Sequence, residues 1–270
     1  MPSFPKFIYQ QLTINLPVPS ASYAGKTVII TGSNTGLGKE AARHFARLGA
    51  STLILAVRSV EKGNAAKADI EASTKVGPDV IQVWELDLGK YDSVKAFAAR
   101  VNELPRVDIL IENAGIATGK YTKFDGGEST ITVNVFSTFL LAALVLPKLK
   151  FDGGEFPERK APDGKIFDAL NDESKWDKAK EDSELARESD SWSLDLLKKL
   201  VARTTEQGSR TLVHAGSQGA DTHGKYLSHC KVHATEGWAA GAGSKELQGR
   251  VWKELTERLE AIQLGVTSNF

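Results

Sequence analysis

Three glycines within one short stretch are the part of this sequence with the clearest chemical use. A β-branched run is followed by Thr31-Gly32-Ser33-Asn34-Thr35-Gly36-Leu37-Gly38. Gly32 permits a tight turn, Gly36 lets the backbone approach a pyrophosphate without a Cβ, and Gly38 allows a helix to pack closely on a strand. Backbone N–H groups at the start of that helix point toward the anion. The stretch therefore predicts the phosphate loop of a dinucleotide site.

The choice of dinucleotide depends on the residue that ends the second strand. An NAD site places a carboxylate there, about twenty residues after the glycines, to hold the ribose 2′-hydroxyl. This sequence reads Leu55-Ala56-Val57-Arg58-Ser59, with an arginine and no acid. Because a guanidinium can pair with a 2′-phosphate, we expect NADP(H) rather than NAD(H). The alternative is that Arg58 is only an exposed residue at a strand end.

Strands that alternate with helices have to position these two motifs. Apolar runs separated by helical periodicity predict an α/β fold, a three-layer, Rossmann-like, doubly wound parallel sheet. The predicted strands are Thr27–Thr31, Ser51–Ala56, Val80–Trp84 and Val107–Ile111, and the predicted helices are Gly36–Leu48, Val60–Ala72, Tyr91–Asn102 and Ser129–Leu149. This alternation stops at Lys150. The sheet is therefore expected to be incomplete, with strands five and six not recognisable and strand four left as an edge.

Four stretches of the chain follow from this pattern. We expect residues 1–24 to form an N-terminal arm, because its prolines discourage regular structure, and residues 25–150 to form the NADP-binding half. The charged residues 151–193 predict a loop or lid, and residues 194–270 predict the C-terminal helices and last short strand of the same domain. The later elements are expected at Leu194–Thr204, Glu206–Ala215, Gly224–Ser228 and Lys245–Ile262, the last with Leu247, Val251, Leu255 and Leu259 on one face.

Composition excludes several classes of protein. Thirty-four basic and 34 acidic residues give a net charge of zero, and so no electrostatic reason to expect nucleic acid or an anionic membrane as a partner. Cys230 is the only cysteine, which excludes an intrachain disulfide and favours a reducing compartment. The spacing of the histidines does not match that of a compact metal site. The apolar run Val133–Pro147 is too short to cross a bilayer and predicts a buried helix. We expect a cytoplasmic protein without a signal peptide.

These motifs resemble the short-chain dehydrogenase/reductase family, in particular its retinol-dehydrogenase-like branch common in fungi. Thr31–Gly38 matches the TGxxxGxG cofactor loop of that family. The resemblance implies that Asp87-Leu88 lies near the adenine and that Asn113-Ala114-Gly115 stabilises the sheet centre beside the cofactor. It also implies that Asn134 is the helix asparagine of the catalytic tetrad, which helps to place a proton-relay water.

The serine, tyrosine and lysine of that tetrad are not found where the resemblance implies them. Family members transfer a hydride at the nicotinamide, and a lysine four residues after the tyrosine lowers the pKa of a phenol that otherwise titrates near pH 10. The sequence reads instead as if two blocks were excised, near Lys150–Glu155 and near Lys180–Glu184. The missing tyrosine helix also normally helps to form the family's dimer interface, so a homo-oligomer is possible but its interface is in doubt.

Substitutes for the tyrosine and lysine are poor. Tyr91-x-x-x-Lys95 has the right spacing but is expected on a surface helix away from the nicotinamide. Trp176 precedes Lys180 by four residues, but an indole cannot exchange a proton at neutral pH. A trio remains in the C-terminal third, with its tyrosine and lysine five apart: Ser217, Tyr226 and Lys231.

Two functions remain open. The first is an NADP(H)-dependent oxidoreductase that oxidises an alcohol or reduces a carbonyl on an apolar small molecule, such as a secondary metabolite. The second is a catalytically inactive NADP(H)-binding protein or a truncated gene product.

Overall fold

The computed structural model describes residues 4–149, 203–219, 222, 224–234, 241 and 243–270. Its centre is a four-stranded parallel sheet of β1 (Thr27–Thr31), β2 (Thr52–Val57), β3 (Ile81–Glu85) and β4 (Ile109–Ile111). The strand order is β3-β2-β1-β4, so the chain reverses its direction of travel across the sheet between β1 and β4. In such sheets ligands bind at this point of reversal, outside the carboxyl ends of the strands.

Helices cover both faces of this sheet. Helix α1 (Phe4–Thr13) precedes β1, and the helices that cover the sheet are α2 (Gly36–Arg47), α3 (Val60–Thr74), α4 (Tyr91–Asn102), α5 (Ser129–Lys148), α6 (Thr205–Ala215) and α7 (Ser244–Ile262). Buried side chains of α2, α3 and α6 join Val28 and Ile30 in one core, while those of α4, α5 and α7 join Ile29 and Ile54 in the other. Because alternate residues of a strand point to opposite faces, β1 contributes to both cores. The predicted α/β, doubly wound architecture is confirmed.

The open side of β4 also agrees with the sequence. Within the described residues β4 is the outermost strand, and Val107 just before it makes an isolated parallel bridge with Leu149 at the end of α5. The chain thus begins to return alongside β4 at the point where the sequence pattern stops. The predicted helix Leu194–Thr204 and the charged stretch lie outside the described residues, apart from Arg203 and Thr204.

Three expectations about the ends of the chain are corrected. The N-terminal arm contains a helix, α1, because Pro5 lies in its first turn, where the absent N–H has no helical partner to lose. The segment predicted as the last strand forms β7 (Tyr226–Ser228), but β8 (Lys231–His233) follows it and pairs with it in a hairpin separate from the main sheet. Leu247 is 38% exposed, because the buried leucines of α7, Leu255 and Leu259, lie in its C-terminal half.

Helix α5 is longer than the apolar run suggested. Its 20 residues, Ser129–Lys148, are long and apolar enough to cross a membrane by length and composition alone, whereas the run Val133–Pro147 within it is shorter; half of its most apolar window is buried inside the fold. A π-helical segment, Thr132–Ser137, interrupts it. There Ser137 Oγ donates to the Leu88 carbonyl at 2.7 Å, which ties α5 to the loop after β3.

Candidate cofactor site

The three glycines of the phosphate loop are required for different reasons. Gly32 has φ +66°, and a Cβ there would lie 2.8 Å from the Ala114 Cα. Gly36 has φ +60° with open space around it, so its left-handed backbone conformation is what requires glycine. A Cβ at Gly38 would collide with the Asn113 side-chain amide and lie 2.8 Å from the Gly32 carbonyl oxygen.

The end of β1 is joined to the end of β4 by one hydroxyl and one amide. Thr31 Oγ1 accepts from the backbone N–H groups of Asn113 and Ala114, each at 3.0 Å. Asn113 Nδ2 donates to the Thr31 carbonyl at 2.9 Å and to the Gly32 carbonyl at 3.3 Å. Both strand ends are therefore held in one geometry, in the place where the resemblance implied a stabilising role for Asn113.

A cavity of about 400 Å³ runs across the carboxyl ends of all four strands. Every residue predicted to bind the cofactor lines it except Ser33 and Gly38. Ser33 is fully buried, and its hydroxyl donates to the Ile30 carbonyl at 2.9 Å, which makes it part of the turn. Lining residues that sequence reasoning missed are Ala56, Ser59, Lys62, Leu86, Gly89, Ile116, Phe124 and Val133.

Two cations face this cavity from the end of β2 and the first turn of α3. Arg58 and Lys62 both line it, and within the described part of the chain neither makes an ion pair. Between them, Ser59 is the N-cap of α3, and its Oγ accepts from the Lys62 backbone N–H at 3.3 Å. The positive end of the helix dipole adds to the two side-chain charges. The helical spacing of Lys62 from the N-cap was the signal that could have identified it.

The loop after β3 forms the far wall. Asp87 Oδ1 accepts from the Gly89 N–H at 2.9 Å, and the Asp87 N–H donates to Ser93 Oγ at 2.9 Å. Phe124 comes to the same wall from the hairpin of β5 (Lys123–Phe124) and β6 (Gly127–Glu128). Nothing in the spacing of the sequence predicts strands of two residues, so this hairpin was not expected.

Asn134 lies in the π-helical segment at the other end of the site. Its Oδ1 accepts from the Ile116 N–H at 2.8 Å, and its Nδ2 donates to the Ile116 carbonyl at 2.7 Å. A Cβ at Gly115 would approach Asn134 Oδ1 to 3.2 Å. Asn134 therefore holds the segment after β4 against α5 and does not itself line the cavity.

Next to this segment lies a partly buried acid that sequence reasoning did not consider. Glu112 immediately follows β4, and its Oε1 is buried without a hydrogen-bond partner in the described part of the chain. Burial raises the pKa of Glu112 from 4.5 to about 8. Its carboxyl group is therefore largely protonated at neutral pH.

The substitutes for a catalytic tyrosine lie away from the cavity. Tyr91 packs against the core because the β5–β6 hairpin covers it, which corrects the expectation that it lies on the surface. The Lys95 Nζ lies 3.8 Å from Asp92 Oδ1. Tyr226 is 56% exposed on β7. Neither tyrosine lines the cavity, and neither do Ser217 and Lys231; Trp176 and Lys180 lie outside the described residues.

Metal ligands do not cluster in the described residues: they hold no group of three or more His, Cys, Asp or Glu side chains that could bind an ion. The two histidines of the β7–β8 hairpin, His229 and His233, have ring centroids 6.1 Å apart. Cys230 is buried and free.

Comparisons with known proteins point to one family. The family model described as short chain dehydrogenase matches residues 26–160. The chain is 47% identical to the short chain dehydrogenase/reductase dmxR8 of Cryptosporiopsis, covering 98% of this chain and 99% of that one. It is 38% identical to the short chain dehydrogenase atnD of Emericella nidulans, over 78% of this chain and 86% of that one.

The alignment with dmxR8 is longer than the chain itself. It runs over 322 positions, whereas this chain has 270 residues, so more than 50 aligned positions of the relative have no counterpart here. Among solved structures, a short chain dehydrogenase from Shigella flexneri complexed with NADP is 29% identical, with a TM-score of 0.42 over 50% of this chain. This chain spans about half of that structure, 58% of its length.

Proposed function

Because the chain belongs to the short-chain dehydrogenase/reductase family, we propose that it binds NADP(H) across the carboxyl ends of β1 to β4. The activity of that site would be the interconversion of an alcohol and a carbonyl on an apolar small molecule, in the manner of fungal secondary metabolism. Bound NADP(H) supplies or accepts the hydride in such a reaction. The cytoplasm is the compartment that fits this role, and neither nucleic acid nor a membrane is proposed as a partner.

The pair of unpaired cations at the start of α3 is the observation that supports NADP(H) over NAD(H). Arg58 and Lys62 face the cavity without an acidic partner among the described residues. A phosphate monoester on the adenosine ribose supplies the negative charge that two such groups and a helix N-terminus favour. The only acid that lines the cavity in the described part of the chain is Asp87, just after β3, and its Oδ1 already accepts from the Gly89 N–H.

Substitution of each cation tests this choice. We expect Arg58→Ala and Lys62→Ala each to weaken NADPH binding about 10- to 100-fold, since hydrogen bonds to charged groups contribute about 1.5–3 kcal/mol. NADH binding should change little. Lys67→Ala is the matched control, because Lys67 is on α3 but pairs with Glu71, 3.6 Å away. Fluorescence titration of both dinucleotides gives the dissociation constants; equal losses for NADPH and NADH would contradict a 2′-phosphate contact.

A second candidate function is binding without turnover. Tyr91 and Lys95 are the only Tyr-x-x-x-Lys pair in the sequence, and Tyr91 does not line the cavity. The aligned positions of dmxR8 without a counterpart also favour a chain that has lost internal segments. We therefore expect the 270-residue protein to bind NADPH but not to consume it.

A chimera separates these two functions. NADPH consumption is measured on a panel of apolar ketones and aldehydes, with the 270-residue chain and with a chain that carries the unmatched positions of dmxR8. If the chimera consumes NADPH and the 270-residue chain does not, the result supports binding without turnover in the present chain. Turnover by the 270-residue chain, lost in Tyr226→Phe or Tyr91→Phe, would show that one of these tyrosines replaces the family's proton donor.

A further inference from the structure

An exposed aromatic side chain stands on the wall of the cofactor cavity. Phe124 is 37% exposed although it is a large apolar residue, and among the described residues it is the only aromatic one that lines the cavity. Its strand, β5, has two residues and joins only β6, so the ring has no place in either core. Exposure of such a ring toward a cavity suggests a ligand surface that covers it.

The backbone holds this ring in place over the loop that follows β3. The Asp125 N–H donates to the Gly89 carbonyl at 3.4 Å, and Asp125 Oδ2 accepts from the Tyr91 N–H at 3.0 Å. A Cβ at Gly89 would lie 3.2 Å from Phe124 Cδ2 and 3.4 Å from its Cγ. The ring therefore lies close to Gly89, and a side chain at that position would require the ring to shift by a few tenths of an ångström.

The surroundings of the ring define the part of a dinucleotide that it can meet. Phe124 shares its end of the cavity with Asp87 and Leu88, on the β3 side of the two cations. The phosphate loop after β1 and the segment after β4 lie on the other side of those cations. A dinucleotide with its pyrophosphate at the loop and its 2′-phosphate at Arg58 then extends its base toward β3.

We propose that the ring of Phe124 packs on the adenine face of the bound dinucleotide and thereby fixes the base against the loop after β3; this rests on the proposed function. A flat aromatic base is the ligand surface that a phenyl ring matches best, whatever groups the base carries on its edge. Asp87 can then accept from the exocyclic amine, because among the described residues the only ion-pair partner of its Oδ2 is Lys90 Nζ, 3.8 Å away. Phe124 is thus a positioning residue for the cofactor and does not touch the reacting atoms.

The test compares Phe124→Ala, Phe124→Leu and Phe124→Tyr with wild type. Dissociation constants are measured for NADPH, NADH and adenosine 2′,5′-bisphosphate, the last of which lacks the nicotinamide half. Base–aromatic stacking contributes about 1–3 kcal/mol, so we expect Phe124→Ala to weaken all three ligands by the same factor, about tenfold. Phe124→Tyr should retain affinity, and Phe124→Leu should fall between. Phe139→Ala is the matched control, since Phe139 is 38% exposed on α5 and contacts Trp252 instead.

Each outcome decides one question. Wild-type protein that binds none of the three ligands overturns the proposed function itself. If wild-type protein binds and Phe124→Ala and Phe124→Leu bind with the same affinity, the adenine contact is overturned but the proposed function is not. If Phe124→Ala fails to fold, the order of affinities among Phe, Tyr and Leu still decides, because Leu retains the cover over Gly89 but not the aromatic face. Nuclear Overhauser contacts between phenylalanine ring protons and adenine H2 or H8 are expected with wild type and lost in Phe124→Leu; their absence in wild type bound to adenosine 2′,5′-bisphosphate also overturns the contact.

Discussion

Gly38 shows why the role of one residue depends on contacts that the sequence does not display. The motif predicted a close approach of helix to strand, whereas the structure places the Asn113 amide and the Gly32 carbonyl oxygen where a Cβ would be. Those two groups belong to the network that joins β1 to β4. Gly38 is therefore needed so that Asn113 can reach the strand end, a requirement that involves two strands far apart in sequence.

An alanine at this position should disturb the whole network. We expect Gly38→Ala to lower the free energy of unfolding by about 1–3 kcal/mol, the usual cost of overpacking, and to weaken NADPH binding as the loop shifts. Gly77→Ala is the control, because a Cβ there meets nothing within 4 Å. Urea denaturation gives the free energy of unfolding of each variant. A Gly38→Ala protein as stable as Gly77→Ala would show that the amide moves aside without cost.

Glu112 makes the stability of the protein depend on pH. Its pKa rises from 4.5 to about 8 on burial, so the folded chain retains a proton that the unfolded chain releases. Stability should therefore fall as pH rises from about 4.5 to about 8, since the unfolded state binds fewer protons in that window. Glu112→Gln should remove this dependence. Urea midpoints at pH 5, 7 and 9 measure it, and parallel pH profiles for variant and wild type would refute the assignment.

At the scale of elements, helix α6 is attached to the cofactor half by polar groups around His44. His44 is buried on α2, with Nε2 lying 2.9 Å from Glu206 Oε1 and Nδ1 lying 3.2 Å from Arg47 Nη2. Arg210 donates to Glu206 and to the Leu16 carbonyl, which adds the N-terminal arm. A guanidinium can only donate, so Nδ1 accepts and the neutral imidazole carries its proton on Nε2.

This cluster should make the α2–α6 contact sensitive to acid. Burial lowers the pKa of His44 below 6.5, although Glu206 opposes that change. The unfolded chain therefore binds the additional proton below about pH 6.5, and stability should decrease as pH falls through that region. His44→Gln keeps a hydrogen-bonding side chain without titration and should flatten the profile between pH 5 and pH 7. Unchanged acid sensitivity in this variant would place its origin elsewhere.

Sequence periodicity was sufficient for some elements and not for others. The first three strands and helices α2 to α4 occur within two residues of their predicted positions, because each has its own apolar pattern and a turn at each end. The β5–β6 hairpin is too short for a pattern, and the π-helical turn of α5 contains Ser137, which donates to the Leu88 carbonyl in the loop after β3, a contact that periodicity does not reveal. The phosphate loop and Arg58 could be predicted from local spacing. Lys62 also had such a signal, its distance from the N-cap Ser59, whereas Phe124 had none and was found only in the assembled structure.

At the scale of the whole molecule, the cavity draws residues from all four strand ends, so a bound dinucleotide should stabilise the entire sheet. At a concentration 100 times its dissociation constant, a ligand specific to the folded state adds about 2.7 kcal/mol. For a chain of this size the melting temperature should then rise by about 5–10 °C. NADPH should raise it more than NADH at equal concentration, and Arg58→Ala should remove that difference. Differential scanning fluorimetry measures both; identical shifts in wild type would argue against a preference for the phosphorylated dinucleotide.

Hydrogen bonds attach the last third of the chain to the first 149 residues. Tyr23 donates to the Val213 carbonyl at 2.8 Å, Arg210 contacts the arm, and Asn269 donates to the Ala143 carbonyl at 3.1 Å. These contacts join α6 and the C-terminal end to residues 1–149 without involving residues 150–202, so we expect them to persist when the chain is cut within that stretch. A polypeptide cleaved once within it is expected to remain a single particle. Co-expressed fragments 1–149 and 203–270 should accordingly co-purify through a tag on either one, and pairs carrying Tyr23→Phe with Arg210→Ala should separate more readily.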